Sequence, residues 1–176
     1  SPEERLAAMS AYYGLTTFLD HNVGRILGAL KAAGLSNDTT VIYTSDHGDN
    51  VGARGLWGKS NMYEESAAIP LIMAGPEIKH GVCETPVSLI DLSATITKHF
   101  GETLGETLGR SLYNIAAEPD DTDREVFSEY HAAGAVTGGF MLRKGRWKLI
   151  YYVGFEPELF DLEDDPEERT NRAADP

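Results

Sequence analysis

A short run of β-branched residues sits between a long helical pattern and a glycine-rich loop, and that order constrains the fold more than any other feature. Thr39, Thr40, Val41, Ile42, Tyr43 and Thr44 combine strong strand preference with no charge, the composition of a strand covered on both faces. Ahead of it, Leu6, Met9, Tyr13, Leu19, Val23, Ile26, Leu27 and Leu30 recur at mostly three- and four-residue steps. That is one apolar stripe of a long helix, which Gly34 ends. A helix, a turn at Ser36-Asn37-Asp38 and a buried strand predict an α/β layer with a partly parallel sheet.

Residues 69–73 read as a second buried strand, closed by Ala74-Gly75-Pro76. Residues 87–100 read as a helix with Leu89, Leu92, Ile96 and Phe100 inward and Gly101 as its stop. The stretch 101–109 repeats Gly-Glu-Thr-Leu once, which is too little for a repeat architecture and reads as a surface loop. Beyond Pro119-Asp120-Asp121 the pattern changes. Residues 140–143 and 146–151 flank a Lys144-Gly145 turn, a probe for a hairpin, and 159–162 adds a further short strand before Asp165-Pro166. Two regions are expected, 1–118 in α/β texture and 119–176 as a small antiparallel β unit.

Acids outnumber bases 28 to 15, a net charge of −13. That balance argues against a nucleic-acid partner, which needs clustered Lys and Arg. No apolar run reaches membrane-spanning length, so no membrane partner is expected. Cys83 is the one cysteine; it excludes an internal disulfide framework and is compatible with a reducing, cytoplasmic setting. The chain opens on Ser1 and runs at once into a helical pattern, so we expect a piece of a longer polypeptide.

The strongest chemical signal is Ser45-Asp46-His47-Gly48-Asp49, directly after the first strand, where open α/β sheets place their ligand sites. Asp46 offers a hard carboxylate and His47 an imidazole, and neighbours leaving a strand end can turn toward one cation. Two ligands make an incomplete site for a divalent ion that takes about six. The alternative on the residues alone is a turn in which Asp46 caps a backbone amide and His47 packs beside it. Lys59 follows Gly55-Leu56-Trp57-Gly58 and suits an anionic oxygen, and Arg54 in the same loop has the same capacity. His131, in Glu129-Tyr130-His131, is a candidate substrate-facing side chain or half of a packed aromatic pair.

These segments resemble a known family. Thr44-Ser45-Asp46-His47-Gly48-Asp49, then Gly52-Ala53-Arg54-Gly55-Leu56-Trp57-Gly58-Lys59, then Ala68-Ile69-Pro70-Leu71-Ile72 are similar to sulfatases of the alkaline phosphatase superfamily, most of all to the choline-sulfatase-like and phosphonate-monoester-hydrolase-like branch. Pro86-Val87-Ser88-Leu89-Ile90-Asp91-Leu92 and the segments Arg143-Lys144-Gly145-Arg146-Trp147-Lys148, Glu158-Leu159-Phe160-Asp161-Leu162 and Asp165-Pro166-Glu167-Glu168 continue the match in order.

The resemblance implies the C-terminal part of an alkaline-phosphatase-like α/β sandwich over 1–118, followed by the small antiparallel subdomain over 119–176. It implies Asp46 and His47 as metal ligands, with calcium expected and manganese or magnesium as alternatives. Lys59 would be the catalytic and substrate-binding cation, with His131 as a further substrate contact. The implied reaction is hydrolysis of a small sulfate or phosphate ester through a formylglycine nucleophile. The C/S-x-P-x-R motif that matures to formylglycine is not in this chain: Cys83 is followed by Glu84, Thr85 and Pro86 without Arg. Such a chain alone is expected to be inactive, and either to form homo-oligomers or to associate with a missing N-terminal half. The reading from a different class is a non-catalytic assembly module.

Overall fold

A computed structural model describes residues 1–101, 105, 107–132 and 134–175. The chain forms two compact units. Unit 1 holds Ser1–Lys59 and Glu65–Lys79, and unit 2 holds Ser60–Glu64 and His80–Pro176. Part of the expected 101–109 loop lies outside the described residues.

Unit 1 begins with α1 (Pro2–Ala32). Its start is written in the sequence. Pro2 fills the first turn, where its missing N–H costs nothing. The Ser1 hydroxyl accepts from the Glu4 N–H at 3.2 Å while the Glu4 carboxylate accepts from the Ser1 ammonium at 2.6 Å, a capping box closed at both ends. Gly34, at φ 74°, ends it. β1 (Val41–Thr44) and β2 (Leu71–Ala74) form a two-stranded sheet with Val41 opposite Ala74 and Thr44 opposite Leu71.

That pairing is antiparallel, and it corrects the partly parallel expectation for the described residues. A parallel return needs a crossover, usually a helix of a dozen residues or so. Between β1 and β2 the chain offers only a 3-10 turn (Ala53–Gly55) and the one-turn α2 (Glu64–Ala67). Neither strand is buried on both faces: β1 is half-buried throughout, and Ile72 on β2 is 60% exposed. The buried residues described in unit 1 are the polar Asn50 and Ser66; along the stripe of α1, Met9, Val23 and Leu30 are half-buried while Leu6 and Ile26 are each about two-thirds exposed.

Unit 2 holds the apolar core: Met62, Leu112, Ile115, Met141, Ile150 and Phe160 are all buried. Its sheet is an antiparallel meander of β3 (Val126–Tyr130), β4 (Gly139–Lys144), β5 (Trp147–Tyr152) and β6 (Glu158–Asp161). The expected hairpin is there: Lys144 faces Trp147 across a two-residue loop whose first member, Gly145, takes φ 55°, as a tight hairpin with the right twist requires.

Helix α3 (Leu89–His99) and the one-turn α4 (Leu112–Ile115) precede the sheet. The expected inward face of α3 is wrong. Leu89, Ile96 and Phe100 are exposed, Leu92 is half-buried, and the residues turned inward are Asp91 and Thr95. Asp91 is sealed from solvent and takes two charged hydrogen bonds from Arg124 (2.7 and 2.9 Å), plus the N–H groups of Ser88 and Arg110. Thr95 accepts from the Leu112 N–H at 2.7 Å and donates to the Asp91 carbonyl, tying α4 to α3. A fully paired polar hub can occupy an interior that an apolar stripe would otherwise claim.

Candidate active site

The loop leaving β1 brings three of the expected residues together in unit 1. The Ser45 hydroxyl donates to the His47 carbonyl at 2.6 Å. His47 Nδ1 lies 2.8 Å from the Gly48 carbonyl oxygen. A carbonyl can only accept, so Nδ1 carries the proton and Nε2 keeps a lone pair, the arrangement that readies an imidazole for a cation. Asp46 Oδ2 lies 3.5 Å from that Nε2. Lys59 Nζ contacts the same nitrogen from the far end of the loop. A carboxylate, an imidazole lone pair and an ammonium thus converge on one point.

Backbone pairing closes the loop that presents them. The Asn50 N–H and side-chain amide both donate to the Gly58 carbonyl, at 2.9 and 2.5 Å, and Gly52 N–H reaches the Leu56 carbonyl at 2.8 Å. Asp49 Oδ1 accepts from Val51 and Gly58 N–H groups. The buried Ser66 hydroxyl holds the Lys59 carbonyl at 2.6 Å. At Gly48 the N–H bonds the Ser66 carbonyl, and a Cβ there would collide with the Glu65 carbonyl oxygen. Asn50 and Ser66 were not singled out from sequence, and Gly48 entered only as a member of the Ser45–Asp49 motif. Only the glycine richness hinted at them, because the partners are set by a chain reversal that no local pattern encodes.

Arg54 forms an ion pair with Glu65. His131 belongs to unit 2, with its ring edge-on to Phe140 at 5.3 Å and Nε2 3.5 Å from Glu129. Cys83 is exposed and free. Among the described residues no cluster of three or more His, Cys, Asp or Glu side chains is placed to hold a metal, and no helix is long and apolar enough to cross a membrane. Asp46 and His47 still fit two positions of a divalent site, as one hard oxygen and one oriented imidazole nitrogen.

The chain that leaves β1 thus sets a carboxylate, an imidazole and, from the far end of the loop, an ammonium side by side. Comparison with known proteins gives the class. Residues 2–102 match the sulfatase family model. The chain is 38% identical to the choline-sulfatase of Rhizobium meliloti (strain 1021) over 170 residues, which cover 94% of this chain and 33% of that protein. Among solved structures, a 2-O GAG sulfatase superposes with a TM-score of 0.85 at 30% identity, covering 96% of this chain and 39% of that one. A phosphonate monoester hydrolase of Agrobacterium radiobacter gives 0.77 at 27% identity, covering 93% and 36%.

The chain belongs to the sulfatase family. It forms part of the alkaline-phosphatase-like α/β fold together with a small antiparallel β unit. It spans about a third of the length of the curated relatives it matches.

Proposed function

We propose that this chain supplies part of the active site of a sulfatase that hydrolyses a small sulfate ester. The observation that carries the reading is the convergence of Asp46 Oδ2, His47 Nε2 and Lys59 Nζ at the end of β1. Asp46 and His47 would hold a divalent metal, with calcium the expected ion for a site built on a hard carboxylate. When bound, such a metal offsets negative charge on the sulfuryl oxygens and orients the nucleophile.

The chain's own residues do the rest. The bond from Nδ1 to Gly48 fixes the His47 tautomer and ring direction. Lys59 sets a positive charge where an ester oxygen gains negative charge. The nucleophile, a formylglycine in this family, and the remaining ligands come from outside these 176 residues. His131 is proposed as a further substrate contact.

In the full-length protein, His47→Ala should lower metal-dependent sulfate-ester turnover by about a hundredfold or more, the scale of losing one group from such a site. A folded variant with unchanged turnover and unchanged metal requirement would overturn the assignment. The likeness to a phosphonate monoester hydrolase supports a second reading, since the same three groups serve a phosphonate or phosphodiester anion. The relative kcat/KM on matched sulfate and phosphonate monoesters decides between them.

A further inference from the structure

Helix α2 is a single turn, yet the backbone of Lys59 depends on it. From α2 the buried Ser66 hydroxyl donates to the Lys59 carbonyl at 2.6 Å. One isolated turn does not fix itself, because forming it costs more backbone freedom than its hydrogen bonding returns. The N–H groups at its start also have no partner inside the helix. What holds Ser66 in place therefore comes from outside α2.

Glu168 is one such hold. Its Oε2 accepts from the N–H of Glu64, the first residue of α2, at 2.7 Å. Lys148 Nζ lies 2.7 Å from Glu64 Oε1 and 2.8 Å from Glu168 Oε1, which locks the two carboxylates together. The segment between Lys59 and α2 is tied as well. The Met62 N–H donates to the Tyr152 hydroxyl, and the Tyr63 hydroxyl donates to Glu158 Oε1, each at 3.2 Å.

Glu168 is an expensive residue to place there. Its side chain is sealed from solvent, and its backbone sits at φ 51°, a left-handed conformation that residues other than glycine rarely adopt. Asp165 holds that turn: its carbonyl accepts from the Glu168 N–H at 3.0 Å, and its Oδ2 from the Arg169 and Thr170 N–H groups at 2.8 Å each. Core packing does not call for this carboxylate, since replacing a buried ion pair by apolar side chains of similar volume is often neutral or stabilising. An apolar side chain could not accept the Glu64 N–H. Backbone strain of this kind is kept where local geometry serves a function. We propose that Glu168, together with Tyr152, is a positioning residue for Lys59, acting through the start of α2 and the hydroxyl of Ser66. The proposal rests on the reading that Lys59 acts on the ester.

The test is a double-mutant cycle in the full-length protein, read as kcat on para-nitrophenyl sulfate. Glu168→Met keeps the length of the side chain and removes the acceptor, and it should lower kcat by about tenfold or more, since a small misplacement of a catalytic group is costly. In a Lys59→Ala background the same change should cost about threefold or less, because the group it positions is gone. Unchanged kcat in folded Glu168→Met, or an equal fold-loss in both backgrounds, would overturn the proposal; the second result is what a purely structural role gives. If Glu168→Met does not fold, Tyr152→Phe, which removes the Met62 tie alone, takes its place in the cycle and is judged by the same comparison of backgrounds. Unchanged kcat in Lys59→Ala by itself would overturn the underlying reading and this proposal with it, and that failure shows before Glu168 is altered.

Discussion

Lys148 and Glu168 form an ion pair at 2.8 Å with both side chains sealed from solvent. Lys148 Nζ also donates to Glu64 Oε1 at 2.7 Å, and Glu168 Oε2 accepts from the Glu64 N–H at 2.7 Å. Arg143 lies 3.9 Å from the Glu64 carboxylate. Two cations and two anions thus balance in unit 2, Lys148 and Glu168 sealed from solvent and Glu64 and Arg143 partly exposed. Removing one member leaves a buried charge without its counterpart, which costs about 3–5 kcal/mol. Lys148→Ala should lower the stability of unit 2 by that order in urea unfolding. A loss below about 1 kcal/mol, the scale of an exposed pair, would show that water reaches the network.

That network shows where sequence reading stops. The alternation of β5 puts Lys148 and Ile150 inward and leaves Trp147, Leu149 and Tyr151 exposed to varying degrees. On composition alone the opposite face is the apolar one. Lys148 is inside because Glu64, 84 positions earlier, and Glu168, on the tail, meet it there; no window of sequence contains all three. The same holds for Asp91 and Thr95 on α3, whose partners Arg124 and Leu112 are remote in the chain. What was legible is local: the long first helix with its Gly34 stop, the strand expected over residues 39–44 and found over Val41–Thr44 with its Asp46-His47 exit, and the Lys144-Gly145 hairpin, each written in neighbouring residues.

Arg146 grips Asp161 through two nitrogens, with Nε to Oδ1 at 2.6 Å, and this hydrogen bonding holds the Asp161 carboxyl below the usual carboxylate range. A depressed folded pKa contributes stability that is present above the unfolded value of about 4 and is lost as pH falls through the folded value. The melting temperature should therefore drop on acidification below about pH 4, and the drop should be shallower in Arg146→Gln. Parallel melting curves for the two chains across that range would contradict the pairing.

Gly48 packs against the Glu65 carbonyl with no room for a side chain. Gly48→Ala must push the loop off Ser66, and with it the Asp46–His47 exit. We expect a loss of stability of about 1–3 kcal/mol, the range for overpacking, and, if Asp46 and His47 act as proposed, a larger proportional loss of sulfate-ester turnover in the full-length protein. Wild-type activity in that variant would mean that the loop tolerates displacement and does not position the ligands.

Lys59 Nζ contacts His47 Nε2. If its work is on the substrate, Lys59→Ala in the full-length protein should lower kcat for a sulfate ester by about a hundredfold and leave the urea midpoint nearly unchanged, because the side chain is not part of a core. Lys59→Arg should restore only part of the rate, since a planar guanidinium does not reproduce a compact ammonium. Equal kcat in wild type and Lys59→Ala would remove Lys59 from the reaction.

The apolar surface of unit 1 sets the behaviour of the chain in isolation. None of its described apolar residues is buried, and α1 presents Leu6, Phe18 and Ile26 to solvent. Val23 and Leu27 of α1, with Val41, Tyr43 and Ile72 of the two-stranded sheet, line an apolar trough of about 360 Å³. Among the described residues β1 and β2 pair only with each other, so each has an open edge of backbone donors and acceptors. Covering such surface gains about 25 cal/mol per Å², and an exposed patch of this kind drives association. We expect the 176-residue chain alone to self-associate at micromolar concentration and to bind a hydrophobic dye. We also expect dye binding to fall when the remaining part of a full-length relative is added in trans. Sedimentation reads the outcome: a monomer of 19.2 kDa that melts cooperatively and ignores the dye would show that α1 and the two strands cover their own apolar faces in solution, and that the unit stands without a partner.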